Sequence, residues 1–165
     1  MKKAICPGSF DPVTLGHIDV IERASAVFDK VVVAVLSNKS KRNWLSVEKR
    51  MELLRKAVAY LPNVNVDSSD KLLAEYANEQ GASVVVKGLR AISDFEHEFQ
   101  MALINRRLNN ALDTMFLTSG EHFQYLSSSM VREIGSMGGD ISCFVPASIL
   151  ADLLECFKSD MGGAV

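Results

Sequence analysis

No apolar run in this 165-residue chain approaches the length of a membrane span. The charged start Met1-Lys2-Lys3 is followed by no apolar stretch long enough for a secretory signal. Cysteine is scarce and odd in number. Cys6, Cys143 and Cys156 show no C-x-x-C spacing, which argues against both a disulfide framework and a zinc site. A reduced, cytoplasmic protein that does not enter a membrane is the expectation. Charge of one sign is lacking too: eighteen basic against twenty acidic residues leave a net −2, so nothing points to a dedicated nucleic-acid binder. A few local cations still suffice for a small anionic ligand. Internal repeats, low-complexity linkers and the dinucleotide fingerprint G-x-G-x-x-G are all missing, and the last of these disfavours a redox nucleotide site.

What is present is alternation. Ala4-Ile5-Cys6, Val31–Leu36, Val64-Asn65-Val66, Val84-Val85-Val86 and Met115-Phe116-Leu117 read as five strands. The second and fourth are continuous β-branched runs, as expected where both faces of a parallel strand are covered. Helical spacing fills the gaps. Val20, Ile21, Ala24, Val27 and Phe28 mark one helix, and Val47, Met51, Leu54, Val58 and Leu61 another, capped by Ser46. Leu72, Leu73, Tyr76 and Ala77 precede a stop at Gly81. A longer helix from about Asp94 carries Phe95, Phe99, Ala102 and Leu103. Another follows Ser127-Ser128-Ser129 and ends near Gly138-Gly139, and the last runs from Pro146 through Phe157. The pattern predicts one α/β domain over 1–158: a doubly wound, Rossmann-like, five-stranded parallel sheet with helices on both faces. Residues 159–165 are expected to form a frayed tail. Ligands of such a sheet bind beyond the carboxyl ends of its strands.

The unusual loops lie at those ends. The first is Pro7-Gly8-Ser9-Phe10-Asp11-Pro12-Val13-Thr14-Leu15-Gly16-His17, a shaped turn opening into a helix whose N–H groups and dipole favour phosphate. His17 can donate a hydrogen bond to phosphate there; the alternative is a tight turn with a capping threonine and a surface histidine. The second, Ser37 to Trp44, holds Lys39, Lys41 and Arg42, which suit an anionic substrate or simply a solvated basic loop, with Trp44 as a packing anchor. The third is Lys87-Gly88-Leu89-Arg90, two cations flanking a glycine, where arginine offers a planar fork and lysine a point charge. The fourth leads from Ser119 to Arg132 through three serines, which read locally as a cap or as hydroxyls for a triphosphate.

Taken in order, P-G-S-F-D-P-V-T-L-G-H at 7–17, S-K-R at 40–42, K-G-L-R at 87–90, D-F-E-H-E at 94–98 and L-S-S-S-M-V-R at 126–132 closely resemble the bacterial phosphopantetheine adenylyltransferases, nucleotidyltransferases with the (H/T)-x-G-H signature. The resemblance implies adenylyl transfer from ATP to 4′-phosphopantetheine, giving dephospho-coenzyme A and pyrophosphate by in-line attack without a protein nucleophile. It implies His17, Lys41 and Arg90 as the catalytic set. For ATP it implies Ser9, Phe10, His17, Gly88, Leu89, Arg90, Glu98 and the run Phe123, Gln124, Tyr125, Leu126, Ser127, Ser128 and Ser129. For phosphopantetheine it implies Ser9, Lys41, Leu73, Lys87 and Asn105. Mg²⁺ is expected to arrive mainly through the ATP phosphates, with no protein-made metal site; His97 and His122 read as ordinary polar residues. A homo-oligomer, hexameric in the family, is also implied. Ser9 stands where threonine is common, Lys87 where arginine is common, and Lys71 where a small or acidic residue is expected. The competing readings are a sibling transferase with another acceptor and a catalytically silent nucleotide-binding protein.

Overall fold

The computed structural model describes residues 1–36, 43–90 and 92–162. In chain order its elements are β1 (Lys3–Gly8), α1 (Leu15–Val27), β2 (Lys30–Leu36), α2 (Val47–Ala57), β3 (Val64–Ser69), α3 (Leu73–Glu79), β4 (Val84–Leu89), α4 (Ile92–Leu108), β5 (Asp113–Thr118), α5 (Ser128–Ser136) and α6 (Ala147–Gly162), with one 3₁₀ turn at Glu121–Phe123. All ladders are parallel and the strand order is β3-β2-β1-β4-β5. The expected five-stranded, doubly wound sheet is what forms.

Alternation of side chains along the strands sends the core to two faces. Ala4, Cys6, Val31, Val33, Val35 and Val86 meet α1, α2, α5 and α6 on one side. Ile5, Val32, Ala34 and Val85 meet α3 on the other, where Leu112 closes the cluster. Strands buried on both faces need the unbroken Val/Ala runs seen in β2 and β4.

Local chemistry sets the helix boundaries. Ser46 caps α2, its hydroxyl accepting the Lys49 N–H at 3.2 Å, and α2 ends at Ala57, four residues short of Leu61. Gly81 and Gly138, at φ +61° and +75°, supply the left-handed turns after α3 and α5. The C-terminal helix overruns the expected tail: α6 continues to Gly162, with Phe157 stacked on Trp44 and the Asp160 carboxylate accepting the Trp44 indole N–H at 3.1 Å. Trp44 is therefore a packing anchor in this fold.

The order 3-2-1-4-5 reverses direction between β1 and β4. That is the switch point of an open α/β sheet, where a crevice forms at the strand ends. Here the crevice has a visible cause. β1 pairs with β2 over six positions, but with β4 only at Ala4↔Val84 and Ile5↔Val85. Beyond Val85 the two central strands separate, and the loops that follow them face across the gap.

Candidate functional site

The first wall of the crevice is the turn after β1. Phe10 adopts a left-handed backbone (φ 47°), rare for a residue with a side chain. Its ring covers Gly8 so closely that a Cβ there would lie 2.9 Å from it. Asp11, 2% exposed, holds the turn: its carboxylate accepts the backbone N–H groups of Trp44 and Leu45, each at 2.8 Å, and the Arg132 guanidinium at 2.8 Å. Arg50, 1% exposed, donates to the Ser9 carbonyl at 2.8 Å. One carboxylate and one guanidinium thus join the turn to α2, to α5 and to the end of the basic loop.

Thr14 occupies the N-cap of α1 and His17 its third position. The Thr14 N–H donates to His17 Nδ1 at 3.0 Å. An acceptor at Nδ1 leaves the ring proton on Nε2, so the imidazole is a neutral donor. Burial is the main cause that lowers the His17 pKa to about 4, and the positive charges of Arg90 and Lys87 add to it. The ring packs edge-on against Phe10, centroids 5.1 Å apart. The helix mouth itself is less open than expected, because the Leu15 N–H already donates to the Phe144 carbonyl at 2.9 Å and the His17 N–H to Thr14 at 3.0 Å.

The second wall is the end of β4. Gly88 lets α1 approach: a Cβ there would lie 2.8 Å from Val20 Cγ2. Lys87 pairs with Glu98 at 3.2 Å, and Arg90 with Asp94 at 3.1 Å. The two acids are four residues apart and so share one face of α4. Arg90 also donates to the Leu126 carbonyl at 2.9 Å, linking β4 to the segment ahead of α5. On that segment the Ser127 hydroxyl caps α5 by accepting the Met130 N–H at 3.2 Å, and Ser128 donates to the Pro12 carbonyl at 2.7 Å. Ser129 accepts from Arg132 at 3.4 Å. Of the two local readings of the serines, the cap is what Ser127 forms.

The two residue sets implied by resemblance fall largely on opposite faces of the sheet. His17, Gly88, Phe123, Leu126 and the three serines lie on the α1/α5 side, while Leu73, Lys87 and Asn105 lie on the α3/α4 side. Leu73 is half-buried against the α3 cluster, and Asn105 is 7% exposed. Glu98, expected with ATP, stands on α4, paired with Lys87. Gln124 and Tyr125 are solvent-exposed. Lys41 lies outside the described residues, as do Lys39 and Arg42. Lys71 turns away to an exposed ion pair with Glu79. Among the described residues no group of three or more His, Cys, Asp or Glu is arranged to hold a metal ion.

Cys6 offers no nucleophile, since burial pushes its thiol up to about 12. What the arrangement offers is a neutral imidazole N–H at the gap with two cations at the end of β4 near enough to act on it. Such donors stabilise charge on phosphate oxygens.

Comparison with known proteins agrees with the geometry. Residues 5–134 match the cytidylyltransferase-like family model. A phosphopantetheine adenylyltransferase from Caldanaerobacter subterraneus subsp. tengcongensis is 52% identical over 158 residues, covering 96% of this chain and 99% of that protein. One from Legionella pneumophila (strain Lens) is 52% identical, with 92% and 89% covered, and one from Heliobacterium modesticaldum 45%, with 99% and 97% covered. A solved structure of a Vibrio parahaemolyticus protein assigned as a nicotinate-nucleotide adenylyltransferase superposes with a TM-score of 0.70 over 95% of each chain. At 24% identity that likeness speaks to the fold alone. With its crevice, its signature loops and relatives alike over almost their full length, the chain belongs to the phosphopantetheine adenylyltransferases, within the cytidylyltransferase-like nucleotidyltransferases.

Proposed function

We propose that this chain transfers the adenylyl group of ATP to the phosphate of 4′-phosphopantetheine, giving dephospho-coenzyme A and pyrophosphate. An oxygen of the phosphopantetheine phosphate forms the new bond to the α-phosphorus. The bond from that phosphorus to the bridging oxygen breaks, and pyrophosphate leaves with the electron pair. The attacking phosphate is already anionic, so neither a general base nor a protein nucleophile is required. Positioning and charge stabilisation carry the rate.

The observation that carries this reading is the grouping of His17, at the mouth of α1, with Lys87 and Arg90, at the end of β4, beside the gap between β1 and β4. In the mechanism the His17 Nε2–H donates to a phosphate oxygen as charge develops, and stays neutral while doing so. Arg90 holds the ATP phosphates, with Ser9, Phe10, Gly88, Leu89, Glu98 and residues 123–129 shaping the nucleotide side. Lys87, with Lys41, Leu73 and Asn105, receives phosphopantetheine. Mg²⁺ would screen phosphate charge when bound. The α4 carboxylates beside these cations, Asp94 and Glu98, are each paired with one of them, which supports an ion held mainly by ATP itself.

The test is product formation. ATP and phosphopantetheine should yield dephospho-coenzyme A and pyrophosphate in equal amounts. Turnover only with another acceptor would identify a sibling transferase, and ATP binding without turnover of any acceptor a silent nucleotide-binding protein. Calorimetry then separates the cations: Lys87→Ala should weaken phosphopantetheine binding, and Arg90→Ala ATP binding, each by roughly ten- to a hundredfold. Loss of the same substrate in both variants would mean that the two cations share one phosphate.

The protein is proposed to act in the cytoplasm as a homo-oligomer, hexameric by family resemblance. No described helix is long and apolar enough to cross a membrane. Phe95, Phe99, Leu103 and Ile104 on α4 and Met115 on the edge strand β5 are exposed apolar residues, which supports a second copy covering that face.

A further inference from the structure

The segment from Thr118 to Ser129 leaves an edge strand and returns to the crevice, and its attachments are few. Ser119 extends the sheet by donating to the Leu89 carbonyl at 2.8 Å. At the far end Arg90 holds the Leu126 carbonyl and Ser128 the Pro12 carbonyl. The near end is fastened from α1. The Gly120 N–H donates to Asp19 Oδ2 at 3.2 Å, and Arg23 donates to the Thr118 carbonyl at 2.6 Å. The two side chains also pair with each other at 3.3 Å, one helical turn apart. In between, Phe123 rests on Gly16, where an added Cβ would lie 3.4 Å from the Phe123 Cβ.

From this arrangement we infer that Asp19 and Arg23 are positioning residues for the nucleotide: together they hold the strap 118–126 in register with α1, the helix that also carries His17. The inference rests on the reading of this crevice as an ATP site. Asp19 and Arg23 touch no substrate. They act through the backbone of Thr118 and Gly120, and hence through the strap alone. Among the described residues neither side chain has a hydrogen bond or ion pair to Leu73, Lys87 or Asn105, which stand on the α3/α4 side. Their loss should therefore be felt by one substrate and not by the other, an asymmetry that general loosening of the fold would not produce.

The experiment measures KM for both substrates and ATP binding by calorimetry in the full chain. Asp19→Ala should weaken ATP binding and raise the ATP KM about fivefold, the effect of one lost hydrogen bond, with the phosphopantetheine KM within twofold. Asp19→Asn keeps an acceptor for the Gly120 N–H and should recover part of the loss. Arg23→Ala, tested separately, should move the same parameter in the same direction. An unchanged ATP affinity in both alanine variants, or equal shifts for both substrates, would overturn the inference. Failure of the proposed function would show differently, as absence of turnover in the unaltered protein. Calorimetry with ATP alone still decides the role of Asp19 and Arg23 in that case.

Discussion

His17 combines two properties that conflict in an ordinary histidine: in the proposed reaction it meets phosphate anions, yet it stays uncharged. Burial first, and then the neighbouring Arg90 and Lys87, keep the imidazole uncharged, while the Nδ1 acceptor bond from Thr14 puts its proton on Nε2. His17→Ala should lower kcat by roughly 10²–10³-fold, the usual cost of one transition-state donor, while circular dichroism stays native. A near-normal kcat would remove His17 from the mechanism. The same environment has a signature in stability. The unfolded imidazole takes up its proton near pH 6.5, the native one only near 4. Between those values the unfolded chain binds more protons, so stability is full above about 6.5 and declines as the pH falls towards 4. Denaturant titrations across that range should show the unaltered protein losing stability relative to His17→Ala. Parallel curves would mean that the native imidazole titrates normally.

At the scale of elements, α1 packs tightly against β4. A methyl group at Gly88 would meet Val20 at 2.8 Å, so Gly88→Ala should cost about 1–3 kcal/mol through overpacking. The double variant Gly88→Ala/Val20→Ala should regain part of that in a denaturant titration; simple additivity would show that the strain is relieved elsewhere. Elements of this kind were readable in advance because their causes are local: β-branched runs for β2 and β4, a serine cap for α2, a glycine after α3. The residues that hold the turn were not. Asp11 lies inside a quoted motif, but its partners Trp44, Leu45 and Arg132 are up to 121 residues away. Arg50 passes for a surface cation of α2, though its spacing from Leu54 and Ala57 places it on the buried face. Asp19 and Arg23 carried no signal, since their partners are backbone groups. Phe95, Phe99 and Leu103 give α4 its helical spacing, yet all three stay exposed, and among the described residues Phe95 alone of them makes an aromatic contact with β5, edge-on to Phe116.

For the whole molecule, that uncovered face sets the next expectation. Leu103, 56% exposed, has no place in the crevice. Leu103→Glu should shift the protein to smaller species in sedimentation at micromolar concentration while each chain stays folded. Unchanged sedimentation would move the contact surface away from α4.

The short ladder between β1 and β4 reaches further than the cleft it opens. It divides the sheet into a leaf of three strands and a leaf of two, joined by two residue pairs and spanned by α1. Such a seam is where a domain parts first, so the amide protons of the β4–β5 ladder should exchange with solvent faster than those of β1–β2. In the proposed reading ATP seats across the seam and has affinity only for the closed form. At a hundred times its Kd it should slow that exchange about a hundredfold. Equal exchange in both ladders without ATP would mean that the sheet opens as one unit. If the leaves do part separately, the line of least cohesion runs beneath the substrates, and the nucleotide becomes a structural rivet for the domain as well as its reactant.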